Sequence, residues 1–288
     1  MSLSVLSSLL RPHCCRCLSV LPCSLSSPSG QRRLPWSNIP TAAELVSRAP
    51  EPMQKYLRIM RIDKPTGTML LFWPSAWSIA LASPGFPSPA LLALFGAGAL
   101  SMRASACVIN DILDKDFDRQ VERTKMRPLA SGEMSMPQAI VLLSGLLSTS
   151  LAILLQLKWA SVIIGASSML LVVGYPLAKR YTNWPQIALG ATLNWGVLIA
   201  WSHLLPPSEW LRAIPLYAAT VLYTVIYDTI YSHQDKSDDL LIGVKSTALH
   251  LGDKTKPYMS VFAGAATLSL GCAGLAAGQT WPFYTALA

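Results

Sequence analysis

Apolar runs of about 20 residues, the length that crosses a bilayer as a helix, recur along this chain at 66–83, 90–109, 137–157, 159–177, 185–205, 211–230 and 257–278. Few soluble architectures tolerate such a series. The composition agrees, with 52% apolar and only 13% charged residues. The expected fold is therefore all-α: a polytopic transmembrane helix bundle of seven complete spans. An apolar piece at 281–288 is too short to cross and reads as the stub of an eighth span.

Loop charge supports this count. Taking loops alternately, one side holds Lys55, Arg58, Arg61, Lys64, Lys115, Arg119, Arg123, Lys125, Arg127, Lys179, Arg180, Lys236, Lys245, Lys254 and Lys256, whereas the other holds Lys158 and Arg212. A missed or invented span would scramble that asymmetry, which is the positive-inside signature. The net charge of +8 is thus a topology signal rather than a nucleic-acid patch, and no nucleic-acid partner is expected. Residues 55–64 read as a short basic amphipathic helix on the membrane surface. Residues 1–43 contain no acid but carry Arg11, Arg16, Arg32 and Arg33 among serines and leucines, the composition of a mitochondrial presequence. The chain divides accordingly into 1–54, presequence and loose lead-in, and 55–288, the membrane domain. The cysteines show no zinc spacing.

Chemistry concentrates where the second run ends. If its helix continues at about 100° per residue, Asp111, Asp114 and Asp118 fall within roughly 80° of one another and Asp116 points away. Three like charges on one face repel unless a cation lies among them, and a hard divalent metal suits carboxylates. The sixth run ends similarly, with Asp228, Asp235 and Asp239 within about 40° of one helical face. Parity puts both clusters on the same membrane side. Basic residues trail each cluster, Lys125 and Arg127 after the first and Lys245 after the second. Carboxylates for magnesium, with cations for phosphate oxygens, make a diphosphate site; at the mouth of an apolar bundle the diphosphate carries a long apolar tail. Arg103 lies inside a span, seven residues before Asn110 on the same face, and an intramembrane charge is functional by default. The alternative is an internal ion pair with one of the aspartates.

The run from Asn110 to Asp118 is an N-D-x-x-D-x-x-x-D motif, and 235–239 is its companion D-x-x-x-D. Together they resemble the UbiA superfamily of intramembrane aromatic prenyltransferases. Five further stretches, at 61–65, 102–111, 127–132, 174–182 and 245–248, are similar to those of its 4-hydroxybenzoate branch, whose mitochondrial members serve ubiquinone synthesis.

The resemblance implies a Mg2+-dependent transfer from polyprenyl diphosphate to the ring carbon ortho to the hydroxyl of 4-hydroxybenzoate. It implies a multi-pass protein of the mitochondrial inner membrane, its site on the matrix side, with the lipid bilayer and other ubiquinone-biosynthesis proteins as partners. On this reading Asn110, Asp111, Asp114, Asp118, Asp228, Asp235 and Asp239 form the metal and diphosphate set. Of these, Asp111, Asp114, Asp118, Asp235 and Asp239 carry catalysis. Arg61, Lys64, Lys125, Arg127, Lys179, Arg180 and Lys245 are candidates for phosphate, or are topology charges. Arg103 is the candidate for the acceptor carboxylate. Tyr175, Tyr227 and Tyr231 would stabilise a cation with their ring faces, or anchor the interface. Family members carry nine spans in a ring, so the closing helices are expected to be missing, and a chain open on one side is not expected to be competent alone. A UbiA-type enzyme with a haem or other quinone-precursor acceptor and an intramembrane transporter stay open as alternatives; a transporter would place its acids nearer the midplane.

Overall fold

The computed structural model describes residues 40–122, 124–234 and 247–288, without the side chains of 175–180. Among the described residues there is no strand. Helices run α1 Ala42–Arg48, α2 Glu51–Ile59, α3 Thr66–Ala82, α4 Pro89–Leu113, α5 Lys115–Asp118, α6 Met136–Leu154, α7 Trp159–Tyr181, α8 Pro185–Leu193, α9 Gly196–Leu204, α10 Ile214–Ser232, α11 Thr247–Leu251, α12 Thr255–Ala276 and α13 Trp281–Leu287. Each expected apolar run is found in helix. Segments Pro89–Leu113, Met136–Leu154, Pro185–Leu204, Pro207–Ser232 and Thr247–Ala276 are long and apolar enough to cross a membrane. Trp159–Gly174 is a shorter apolar helix, and α3 has 17 residues.

Prolines begin several of these helices. Pro89, Pro137 and Pro185 stand in the first turn, where a missing N–H costs nothing. Ser88 Oγ accepts from Leu91 N, and Ser135 and Gln138 form a reciprocal cap at the start of α6.

Helix α3 packs against α9 and α4, α4 against α6, α7 against α8 and α9, and α10 against α8 and α12. Small residues set the closest approaches. A side chain at Gly190 would meet the Val221 carbonyl oxygen at 3.0 Å, so glycine allows α8 to lie on α10. Ser78 Oγ donates to the Val197 carbonyl at 2.8 Å, fastening α3 to α9. Helices α6 and α12 keep most of their apolar surface outward, as lipid-facing helices do. Helix α13 lies on α12 at the edge of the bundle, with Phe283 and Tyr284 over Gly274.

Three expectations are corrected. Residues 185–205 form no continuous helix: Asn194 (φ −95°, ψ 5°) separates α8 from α9. Its amide Nδ2 donates to the Gly190 carbonyl at 2.7 Å and to Thr224 Oγ1 at 2.9 Å, with the Thr220 carbonyl at 3.2 Å. Tyr217 Oη donates to the Ala191 carbonyl at 3.0 Å, so the break is satisfied inside the protein, the condition for irregular backbone at membrane depth. The lead-in is not uniformly loose, because Thr41 and Glu44 form a capping box that starts α1. The surface helix expected at 55–64 spans Glu51–Ile59 and stops at Arg61, whose φ of 58° is left-handed.

Candidate functional site

Helix α4 delivers the first acidic cluster, though not as one continuous face. It ends at Leu113, Asp114 adopts φ −100° and ψ 8°, and the chain resumes as the single turn α5. This corrects the expected uninterrupted helix through Asp118. The break relieves a face that would carry three like charges, and it lets a guanidinium enter between the first and last of them. Asp111 and Asp118 are buried, Asp114 and Asn110 half-buried, and Asp116 faces outward as expected.

The entering group is Arg127. Its Nη1 donates to Asp111 Oδ1 at 3.0 Å and to Asp118 Oδ2 at 2.7 Å. The loop returns it there because its own residues are pinned. Leu129 and Met134 are buried with Ile59, Val108 and Ala139, and Arg119 Nε donates to the Ala130 carbonyl at 3.1 Å. Thr124 Oγ1 donates to the Asp118 carbonyl at 3.0 Å, and Gly132 supplies a φ of 85° that a side chain would disfavour.

Arg61 approaches the same Asp111 Oδ1, its Nη2 at 3.5 Å. Asp111 Oδ2 is buried and accepts no hydrogen bond among the described residues. An orphaned oxygen among hard carboxylate donors fits a divalent ion such as magnesium. Among the described residues no three acids, cysteines or histidines gather closely enough to hold one by themselves.

Below the acids lies an apolar cavity of about 390 Å³ between α3, α4, α6, α7, α8 and α9. Leu71, Met102, Leu147, Met169 and Trp195 contribute to its wall, and Arg103 is the cation that reaches it. Arg103 stands eight residues before Asp111, about 12 Å along the helix axis. Among the described residues its Nε is buried without a hydrogen-bond partner, and it forms no ion pair with them. A structural pair with the aspartates, one of the two readings left open, is therefore not formed among these residues.

The other expected residues divide. Lys64 is exposed on the turn between α2 and α3. Lys125 is exposed and pairs with Glu122 at 2.6 Å rather than with the site acids. Asp228 is half-buried near the end of α10, and Tyr231 is exposed one turn later. Asp235, Asp239 and Lys245 lie outside the described residues, as do the side chains of Tyr175, Lys179 and Arg180. The meeting of the two acidic clusters thus rests on span parity. Two residues were missed. Asp63 buries Oδ1 without a hydrogen-bond partner among the described residues, on the turn that carries Arg61; its signal was an acid held between Arg61 and Pro65. Gly67 gives up its side-chain space to the Arg103 guanidinium, and nothing in a lone glycine announces that.

A model described as the UbiA prenyltransferase family matches residues 71–288. The mitochondrial 4-hydroxybenzoate polyprenyltransferase of Caenorhabditis elegans is 57% identical over 262 residues, which are 90% of this chain and 74% of that protein. The protein of the same name from Homo sapiens is 51% identical over 249 residues, 86% of this chain and 67% of that one. Among solved structures, a UbiA homolog from Aeropyrum pernix K1 superposes with a TM-score of 0.68 at 25% identity, covering 78% of this chain and 84% of that one. A UbiA homolog from Archaeoglobus fulgidus bound to DMAPP and Mg2+ gives a TM-score of 0.61 at 17% identity, covering 81% and 82%.

Proposed function

This chain belongs to the UbiA prenyltransferase family, and we propose that it transfers a polyprenyl group to the ring carbon ortho to the hydroxyl of 4-hydroxybenzoate, a step of ubiquinone biosynthesis. The observation that carries this reading is Arg103: a cation whose Nε has no hydrogen-bond partner among the described residues, at an otherwise apolar cavity below a cluster of buried acids. An aromatic acid offers both the carboxylate that such a group needs and the apolar ring that such a cavity takes.

In the reaction, the allylic C–O bond of the polyprenyl diphosphate breaks and its electron pair leaves with the diphosphate. The ring carbon forms the new C–C bond and then loses its proton. Asp111, Asp114 and Asp118, with Asn110, Asp228, Asp235 and Asp239, would hold the divalent ion that the Archaeoglobus homolog contains as Mg2+. When bound, that ion neutralises charge building on the departing diphosphate. Arg61 and Arg127 already stand at the acids, where they are placed to meet phosphate oxygens; Lys64, Lys125, Lys179, Arg180 and Lys245 are the further basic candidates. Arg103 holds the acceptor carboxylate and so orients the ring. The apolar wall keeps water from the allylic cation. Tyr175 and Tyr231 are the aromatic candidates for facing that cation. With the basic loops on the matrix side, the site opens to the matrix face of the mitochondrial inner membrane.

Steady-state kinetics in an active version of the enzyme with its ring closed test the assignment of Arg103. Arg103→Ala is expected to raise KM for 4-hydroxybenzoate by about tenfold or more, as loss of one charged hydrogen-bond partner does, with little change for the polyprenyl diphosphate. Equal losses toward both substrates would contradict it.

A further inference from the structure

Arg127 occupies the place among the acids where a metal ion is expected. One N–H of its Nη1 goes to Asp111 at 3.0 Å and the other to Asp118 at 2.7 Å, while Arg61 approaches the same Asp111 oxygen. A divalent ion drawing on the remaining oxygens, Asp111 Oδ2 among them, meets a fixed positive charge on the same two carboxylates and is repelled by it. The guanidinium therefore opposes the ion in this arrangement. Something must first take Arg127 away, and a diphosphate is suited to do so, because its oxygens match the guanidinium fork as well as carboxylates do.

We propose that Arg127 is an internal stand-in cation: it closes Asp111 and Asp118 while no diphosphate is present, and releases them to the divalent ion as it turns to the diphosphate. The proposal rests on the reading of the site given above. Its consequence is coupling. Metal and diphosphate enter as a pair, each raising the affinity for the other by the same factor. The burial of Leu129 and Met134 pins the loop and keeps Arg127 poised at the acids. A site that does not collect metal alone also does not hold a bare divalent charge in the membrane between turnovers, where such a charge is costly.

Binding of Mn2+, followed by its electron paramagnetic resonance signal, tests this with the full chain in lipid nanodiscs, with and without inorganic pyrophosphate. Values are corrected for the Mn2+–pyrophosphate complex in solution. The wild-type protein is expected to bind Mn2+ weakly alone, and about tenfold more tightly with pyrophosphate. Arg127→Gln should bind Mn2+ alone about tenfold more tightly than wild type, with a smaller further gain from pyrophosphate. A merely structural clamp predicts the opposite sign, because loosening the carboxylates weakens their grip on a metal. Equal or weaker binding of Mn2+ alone by Arg127→Gln therefore overturns the proposal and leaves the metal site standing. Absence of Mn2+ binding in both proteins, even with pyrophosphate, overturns the proposal and the metal-dependent reading together. Should Arg127→Gln not fold, Arg127→Lys, which keeps one charge but reaches one carboxylate at a time, must shift in the same direction. The wild-type comparison decides by itself if pyrophosphate leaves Mn2+ affinity unchanged, which overturns the proposal.

Discussion

The Arg103 guanidinium lies against the backbone of Gly67, in the space that a side chain at Gly67 would fill. Helix α3 thus positions a charge that belongs to α4, and the contact exists only because position 67 lacks a Cβ. Gly67→Ala should push the guanidinium aside. Since alanine favours a helix over glycine by about 1 kcal/mol, the fold should hold while kcat/KM for the aromatic acid falls by one to two orders of magnitude. Kinetics paired with a thermal unfolding curve check this; a variant that keeps its activity, or loses stability and activity together, contradicts the assigned contact.

Arg61 adopts a left-handed conformation that costs a residue with a side chain roughly 1–2 kcal/mol. That conformation ends α2 and turns the Arg61 side chain toward Asp111. Both Arg61→Gly and Arg61→Ala lose the contact, but only glycine relieves the backbone. The glycine variant should be more stable than the alanine variant by about 1 kcal/mol. Unfolding midpoints in the same detergent measure the difference, and an alanine variant as stable as the glycine one would show that the turn relaxes.

Asn194 holds the α8–α9 break to α10 through the Thr220 carbonyl and Thr224 Oγ1. Asn194→Ala should destabilise by about 1–3 kcal/mol, the cost of leaving buried partners unsatisfied. Asn194→Asp should cost more, because a carboxylate would face two carbonyl oxygens with no hydrogen to offer. Ranking the three proteins by thermal unfolding tests this, and an aspartate variant at least as stable as the alanine one would contradict the hydrogen-bond assignment.

The helical course of the chain was legible because runs of apolar residues carry span length directly, and Arg103 stood out because a charge inside such a run is costly. Asp111 and Asp118 were legible as a pair through their spacing. What spacing did not carry was the break at Asp114, which depends on a guanidinium that returns from 13 residues later in the chain. The break at Asn194 was hidden for a similar reason: one polar residue in an apolar run looks tolerated until its partners on α10 are known. The helix start at Thr41 was readable from Thr-x-x-Glu but was overshadowed by the surrounding prolines. Gly67 and the strained Arg61 are consequences of tertiary approach, which no local pattern encodes.

The reaction proposed for this site is carbon–carbon prenylation of an aromatic acid. Membranes containing the protein together with the helices that close the family's ring, supplied with 4-hydroxybenzoate and a polyprenyl diphosphate, test it most directly when the product is identified by mass spectrometry and its new bond by NMR. The expected result is 4-hydroxybenzoate prenylated on the ring carbon next to the hydroxyl in the presence of Mg2+, no product once the divalent ion is chelated, and loss of product in Asp111→Asn. Product that persists under chelation, a prenyl ether on oxygen, or transfer to another acceptor in preference to 4-hydroxybenzoate would contradict it.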